Sequence, residues 1–322
     1  MKDIEVSVVM PVYNEEKYIE RCLKSLYIQT YPKESIEWLF IDGCSKDKTV
    51  EKIKQFNFPN CYILKNEKRI VTYALNIGID HSIGKFIIRM DAHAKYAADY
   101  IEKCVFYLET TDAENVGGIA ITKGNGFIGQ ANSEILSSKF GVGNSNFRVG
   151  NKSGYVDTVP FGAFKREVFE KIGKFDVDLP RSEDNDFNSR IRASGGKVFL
   201  ASDISFTYYC RDTVKGLLGQ ALKNGDALFL TIRKNLKAMS LRHYIPFLFV
   251  LSLIVVPIIS FFIPLFWLCL TAESGLYLML DLFFSFCKGK KKFVLYKLVM
   301  YPLFHIAYGI GSLLGMINVK LY

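Results

Sequence analysis

Three acid-bearing stretches, each where an apolar run gives way to a turn or a helix, hold the residues of this chain that could do chemistry. The first pairs Pro11-Val12-Tyr13-Asn14-Glu15 with Ile41-Asp42-Gly43-Cys44-Ser45-Lys46-Asp47. Both follow short apolar runs (VSVVM at 6–10, EWLFI at 37–41) that read as buried strands. Loops at the carboxyl ends of parallel strands are where α/β sheets bind ligands, and Asp42 is a carboxylate at such a tip. Capping of the next helix by Ser45 and Asp47 would account for part of this stretch without any ligand. The second stretch, Arg89-Met90-Asp91-Ala92-His93, ends a run that begins at Lys85. Asp91 and His93, one residue apart, can converge on a single divalent ion. An ion held there can neutralise a diphosphate and help it depart. A turn capped by Asp91 beside a merely hydrogen-bonded His93 is the structural alternative. The third, Arg181-Ser182-Glu183-Asp184-Asn185-Asp186-Phe187, opens a helix. Acids are favoured at a helix N-terminus by its dipole. Three acids within four residues exceed what capping needs, so one is available as a general base. Upstream, the small residues of Phe161-Gly162-Ala163 would let a ligand approach the backbone.

The elements that must position these groups alternate. Strand-like runs recur at CYIL (61–64), KFIIRM (85–90) and KVFLA (197–201). A helical face runs from Glu15 to Gln29 through Tyr18, Ile19, Cys22, Leu23, Leu26 and Tyr27. Further helices are predicted near 47–56, 71–82, 98–109 and 184–194, the last stopped by Gly195-Gly196. Such alternation argues for a mostly parallel sheet covered on both faces.

From Tyr244 the character changes. Residues 244–286 are nearly continuous hydrocarbon, with Glu273 and Asp281 as the only formal charges. A bilayer core takes roughly 20 helical residues to cross, so two spans fit. Pro257 and Pro264, or Glu273-Ser274-Gly275, are the candidate turns between them. A basic loop, Lys288-Gly289-Lys290-Lys291-Lys292, precedes a third apolar run from Phe293 to Ile317. Basic short loops tend to stay cytosolic. The expected order is therefore a cytosolic domain, two crossings, the basic loop inside and a last crossing. An interfacial hairpin in place of two full crossings is the competing arrangement. Between 211 and 242, Arg211, Lys215, Lys223, Arg233, Lys234, Lys237 and Arg242 interleave with leucines, as suits a segment lying on anionic lipid.

The chain has 322 residues, half of them hydrophobic, and a formal net charge of +9. The positive charge gathers where a membrane is already implied, and no helix-turn-helix, RRM or zinc-finger pattern occurs, so no nucleic-acid partner is expected. Seven cysteines are scattered singly, which reads as reduced thiols in a cytosol-facing protein. The opening MKDIEVSVVMPVYNEE is too short and too acidic for a signal peptide, so the catalytic part is expected in the cytoplasm.

Taken in order, PVYNEEKYIERCLKSLYIQTYP, IEWLFIDGCSKDKT, ALNIGIDHSIGKFIIRMDAH and FGAFKREVFEKIGKFD…EDNDFNSRIRASGG resemble the family 2 glycosyltransferases, continuously from about residue 6 to 196. DAHAKYAADYI and the apolar segments after it are similar to the bacterial exopolysaccharide branch, the succinoglycan-type β-glucosyltransferases in particular. The resemblance implies a GT-A fold (Rossmann-like, α/β) followed by C-terminal transmembrane helices, and inversion at the anomeric carbon. It divides the chain into a glycosyltransferase domain at 1–210, a basic interfacial segment at 211–243 and a membrane domain of about three apolar helices at 244–322. Carried over by position, Pro11, Tyr13 and Glu15 would line the nucleotide pocket, Asp42 would contact the base, and Arg69 would reach the nucleotide or diphosphate. Asp91 and His93 fall on the family's DxD metal motif, implying Mn²⁺ or Mg²⁺, with Asp91 also on the nucleotide sugar. Asp184 falls on the catalytic base and Glu183 supports it. Two departures stand out. His93 replaces the second aspartate of DxD, and the QxxRW signature of processive enzymes is missing, Gln220-Ala221-Leu222-Lys223-Asn224 standing near its place.

The function implied is transfer of one sugar from a nucleotide-diphosphate sugar, UDP-hexose being the family-weighted donor. The acceptor would be a polyprenyl-diphosphate-linked sugar in exopolysaccharide, capsule or cell-surface glycan synthesis. The enzyme would be multi-pass in the inner (plasma) membrane, against membrane lipids. A polyprenyl-phosphate sugar synthase and a non-catalytic membrane nucleotide-sugar sensor are the alternative readings.

Overall fold

The computed structural model describes residues 3–319. It divides into two compact units, Met1–Ile121 with Gly150–Tyr209, and Thr122–Val149 with Cys210–Tyr322.

The first unit is built on one sheet. Strands β1 (Val6–Val12), β2 (Ile36–Asp42), β3 (Cys61–Lys65) and β4 (Phe86–Arg89) form its parallel half in the order β3-β2-β1-β4. Helices α1 (Ile19–Tyr27), α2 (Thr49–Gln55) and α3 (Val71–His81) are the crossovers. β1 and β2 are mostly apolar because both faces are covered: Val6, Val8, Val9, Trp38, Leu39 and Phe40 are buried, and the polar pair Ser7 and Glu37, also buried, bond to each other. The shared direction brings Val12, Asp42 and Lys65 into register at the carboxyl edge, where β4 also ends.

Helix α1 starts four residues later than the hydrophobic pattern predicts. Asn14 is left-handed, with φ 53°, and the backbone N–H groups of Asn14, Glu15 and Glu16 donate to Ser45 Oγ, Thr49 Oγ1 and Asp47 Oδ2. Side chains of the β2–α2 loop thus satisfy donors that a longer helix would have used. Ser45 therefore serves the β1–α1 turn and not α2, whereas Asp47 serves both, also accepting from Thr49 N at 3.0 Å.

Beyond β4 the sheet turns antiparallel through β8 (Ala163–Lys165), β6 (Asn115–Lys123), β9 (Val198–Tyr209) and β5 (Ala94–Tyr96), with β7 (Gly154–Tyr155) on β9. The sheet is therefore mixed, and the parallel pattern read from the sequence describes its first four strands. β5 begins five residues after β4 ends, yet it pairs not with β4 but antiparallel with β9 at the far edge of the sheet. Helices α4 (Tyr100–Thr110), α8 (Glu167–Ile172) and α9 (Glu183–Ala193) complete the unit. Phe187 of α9 is fully buried, its ring stacked on Phe175 at 4.6 Å and Phe169 at 5.0 Å. Burying a side chain of this size contributes about 1.5–3 kcal/mol. Asn188 beside it donates to Thr158 Oγ1 at 2.9 Å and Val159 O at 3.1 Å, which fixes the helix on the sheet.

The second unit is helical: α5 (Gly126–Leu136), α6 (Lys139–Val142), α7 (Asn146–Val149), α10 (Val214–Lys234), α11 (Leu241–Phe262), α12 (Phe266–Cys287) and α13 (Val294–Met316). Three of its helical stretches, Leu241–Phe262, Phe266–Cys287 and Lys291–Met316, are long and apolar enough to cross a membrane. The chain turns at Pro264, while Pro257 and Glu273-Ser274-Gly275 lie inside helices. Residues 122–149 belong to this unit although they fall inside the 1–210 span expected for the catalytic domain. Their side chains explain why. Glu134 accepts from Lys290 N at 2.9 Å and pairs with the buried Lys297 at 3.3 Å. His305 Nε2 donates to the Phe140 carbonyl at 2.9 Å, and the Phe140 ring stacks on Phe284 at 5.4 Å.

Candidate active site

At the carboxyl edge of the parallel half, the structure gathers two groups of side chains. The first group is Pro11, Tyr13, Asp42 and Arg69, the residues expected on the nucleotide side. Asp42 turns back on its own loop, its carboxylate accepting from Ser45 N at 3.1 and 3.2 Å. Tyr13 is 43% exposed, leaving its ring available for stacking. Arg69, in a left-handed conformation with φ 57°, holds its guanidinium 5.7 Å from that ring. Arg69 and Tyr13 are thus brought together across the edge from different loops.

The second group surrounds the end of β4. Asp91 and His93 converge, with Oδ1 of Asp91 2.7 Å from Nδ1 of His93 and accepting from His93 N at 3.2 Å. Glu15 Oε1 approaches the same Nδ1 at 3.6 Å. Glu15, assigned by position to the nucleotide pocket, therefore stands with the DxD-like pair. Tyr96 OH accepts from Asp91 N at 2.6 Å and Cys22 Sγ donates to Asp91 O at 3.5 Å, which fixes the turn from the backbone. Burial opposes charge on Asp91, but the neighbouring His93 and Arg89 hold its carboxyl below the usual range. The Asp91 charge in turn lifts His93 well above an ordinary imidazole, against its burial and with help from Glu15.

Glu183 and Asp184 open α9 and meet a cation to which the sequence reading gave no role. Arg89, 7% exposed, donates from Nη1 to Asp184 Oδ1 at 2.5 Å and from Nη2 to Glu183 Oε1 at 2.7 Å. One guanidinium fork thus spans both acids, a geometry that lysine cannot reproduce. Ser182 supplies the sharp entry to α9 in a left-handed conformation, with φ 62°. Asp186, the third acid of the stretch, is buried and bonded to Arg190 at 2.9 Å, so it is a structural member of the helix. Burial pushes the Asp184 carboxyl up to about 7, Glu183 adding to the rise and Arg89 opposing it. Gly162 does not serve ligand approach: an added Cβ there would lie 2.2 Å from Asn115 Oδ1, so its smallness accommodates the sheet. The signal for Arg89 was its place two residues before Asp91 in an otherwise apolar strand, where a buried cation demands buried anions.

Among the described residues, no group of three or more His, Cys, Asp or Glu side chains is arranged to hold a metal ion. Asp91 offers a carboxylate oxygen of the kind that Mn²⁺ or Mg²⁺ takes, with remaining ligands from water and phosphate oxygens; His93, whose Nδ1 is engaged with Asp91, would add a nitrogen only on giving up its proton.

A one-directional βαβ half with its acids at the carboxyl edge, continued by antiparallel strands, defines a GT-A type glycosyltransferase. The model of the glycosyl transferase family 2 matches residues 7–173, and the chain belongs to that family. It is 32% identical over 268 residues to the dolichyl N-acetyl-α-D-glucosaminyl phosphate 3-β-D-2,3-diacetamido-2,3-dideoxy-β-D-glucuronosyltransferase of Methanococcus voltae, covering 80% of this chain and 83% of that one. It is 27% identical over 243 residues to the succinoglycan biosynthesis protein ExoA of Rhizobium meliloti, covering 74% and 73%. In fold it resembles the mannosyltransferase PcManGT of Pyrobaculum calidifontis, solved with GDP-Man and Mn²⁺, with a TM-score of 0.64 at 19% identity over 97% of this chain and 88% of that one.

Proposed function

We propose that this glycosyltransferase moves one sugar from a nucleotide-diphosphate sugar to a lipid-linked saccharide in surface-glycan synthesis, with inversion, and that Asp184 is its base. The observation carrying this reading is the Arg89 fork, which places a buried, partly protonatable Asp184 on the strand end that bears Asp91 and His93. Asp184 accepts the proton of the acceptor hydroxyl as its oxygen attacks the anomeric carbon and the bond to the diphosphate oxygen breaks. Glu183 takes up the second arm of Arg89 and so keeps the fork in place. Tyr13 and Arg69 hold the nucleotide by stacking, Pro11 lines its pocket, and Asp42 meets the base. Asp91 and His93 would hold Mn²⁺ or Mg²⁺, which supplies charge neutralisation to the departing diphosphate.

A glycosylated lipid is favoured as acceptor over a bare lipid phosphate because the archaeal relative is named for a dolichyl sugar phosphate. UDP-hexose remains the proposed donor. We place the chain in the inner (plasma) membrane with its catalytic unit in the cytoplasm, a reading that the apolar helices and the basic loop support.

The test is nucleoside-diphosphate release by the detergent-solubilised chain, across a panel of donors and lipid-linked acceptors, with and without Mn²⁺ or Mg²⁺. Release with one donor that requires metal and a glycosylated lipid supports the reading. Equal release with bare polyprenyl phosphate would make it a sugar-phosphate synthase. No release with any combination would leave binding without turnover.

A further inference from the structure

The three apolar stretches of the second unit are not equivalent. Over an 18-residue apolar segment of each, the buried share is 17% in Leu241–Phe262, 11% in Phe266–Cys287 and 44% in Lys291–Met316. Beyond Val250 only Ser260 of α11 is buried, and along α12 only Asp281 and Ser285. The turn region between them presents Phe261, Phe262, Ile263, Leu265 and Leu268 at 50–84% exposure. Most of the outer surface of this hairpin is apolar, as suits a helix pair in lipid; its two carboxylates are Glu273, which accepts from Ser252 Oγ at 2.6 Å within the hairpin, and the buried Asp281.

Helix α13 is different, because α10 lies along it. Near their starts, Asn132 bridges the two helices, donating to the carbonyl of Thr213, the N-cap of α10, at 3.4 Å and accepting from Tyr296 OH at 2.7 Å. Midway, the backbones touch. An added Cβ at Gly225 would lie 1.9 Å from Tyr308 O, one at Gly311 2.0 Å from Leu222 O, and one at Gly315 2.4 Å from Asp226 O. Near their ends, Arg233 Nη2 donates to Met316 O at 2.6 Å. From the starts, through the middle (Leu222–Asp226 against Tyr308–Gly315), to the ends (Arg233 against Met316), the contacts advance in the same direction on both helices, so the two run parallel and side by side.

That pairing decides what α13 can do. A helix rises about 1.5 Å per residue, and a bilayer core is about 30 Å thick. The 23 residues of α13 would all be used in crossing it, and α10 would be carried through beside them. Helix α10 bears Lys215, Lys223, Asp226, Arg233 and Lys234, with Lys223 next to the Gly311 contact at mid-depth. A charge carried at mid-depth, as Lys223 would be, costs on the order of 3 kcal/mol at the centre of a bilayer, whereas Lys215, Arg233 and Lys234 lie in the end turns. At a surface the same pair is stable: the exposed residues of α13 form one apolar stripe (Leu295, Val299, Leu303, Ile310), while Lys223, Arg233 and Lys234 remain exposed on α10. Lysines 288, 290, 291 and 292, all exposed at the start of α13, complement anionic headgroups.

We infer that only the α11–α12 hairpin enters the bilayer, and that α10 and α13 lie together on its surface. Both ends of α13 then stay on the membrane face where α10 begins, and the last crossing expected from hydropathy does not occur.

Single cysteines test this in sealed vesicles with a membrane-impermeant maleimide. The background carries serine at Cys44, Cys61, Cys269 and Cys287, the cysteines that are not buried. K215C marks the face where α10 begins. K234C and M316C are expected to label from that same face, to within about twofold of K215C, while F262C does not label from it. Labelling of M316C or K234C only from the opposite face, or labelling of F262C alongside K215C, overturns the inference. The readout needs no turnover, so it stands or falls separately from the proposed reaction.

Discussion

The two halves of the site hold their acids in opposite ways. On the nucleotide side, Asp42 is tied to the backbone of its own loop, three residues away, and its neighbours Tyr13 and Arg69 reach solvent. On the transfer side, Glu183 and Asp184 are tied to Arg89 across 94 and 95 residues of chain, and all three are largely buried. A loop that closes on itself tolerates the loss of one bond. A buried ion triad does not, because removing one member strands charge away from water.

The largest effect should follow from removing the base. Asp184→Asn is expected to lower kcat by about 10²–10⁴-fold. The KM for the donor should stay within about threefold, since nothing on the nucleotide side is touched; initial rates of nucleoside-diphosphate release read both. A kcat near that of the unchanged chain would remove Asp184 from its role.

Next comes the fork. Arg89→Met leaves two carboxylates without their cation and should destabilise the first unit by about 3–5 kcal/mol, measured by chemical or thermal unfolding in detergent. Arg89→Lys, which cannot span both acids, should recover much of that stability but little of kcat. Full recovery of both would mean that the charge matters and the fork does not.

The pH dependence sharpens the same contrast. In the proposed mechanism the carboxylate form of Asp184 is the base, and burial raises its pKa to about 7. The transfer rate should therefore rise with pH, about tenfold per unit below 7, and level off above it. Arg89 favours the charged form, so an Arg89→Lys chain that pairs less well should show this rise at higher pH. A flat profile between pH 5 and 8 would contradict the assignment.

The smallest effect belongs to the nucleotide side. Asp42→Asn keeps the shape and weakens the acceptor of the Ser45 N–H bond by about 1 kcal/mol. The expected result is a donor KM raised several-fold with kcat nearly unchanged, and a Tm within a few degrees. A kcat loss as large as that of Asp184→Asn would erase the distinction between the two halves.

Much of this was written locally. Each strand or helix signal and the acid beside it lie within a dozen residues, so β1, β2 and the places of Asp42 and Asp91 after a strand run and of Asp184 at a helix start could be read from the chain alone. The membrane-length helices were equally legible, because lipid solvation acts on each residue in turn. Tertiary structure alone decided the rest. Strands β5, β7 and β8, of two or three residues each, have no periodicity to read, and exist because longer neighbours offer them hydrogen bonds. Arg89 was visible as a residue but not as a fork, since its acids lie almost a hundred positions away. Residues 122–149 look like part of a soluble domain until Glu134 and Phe140 find Lys297 and His305. The glycines of α10 and α13 mean nothing separately. Their complementarity is a property of two surfaces in contact, and a hydropathy sum over one helix has no access to it.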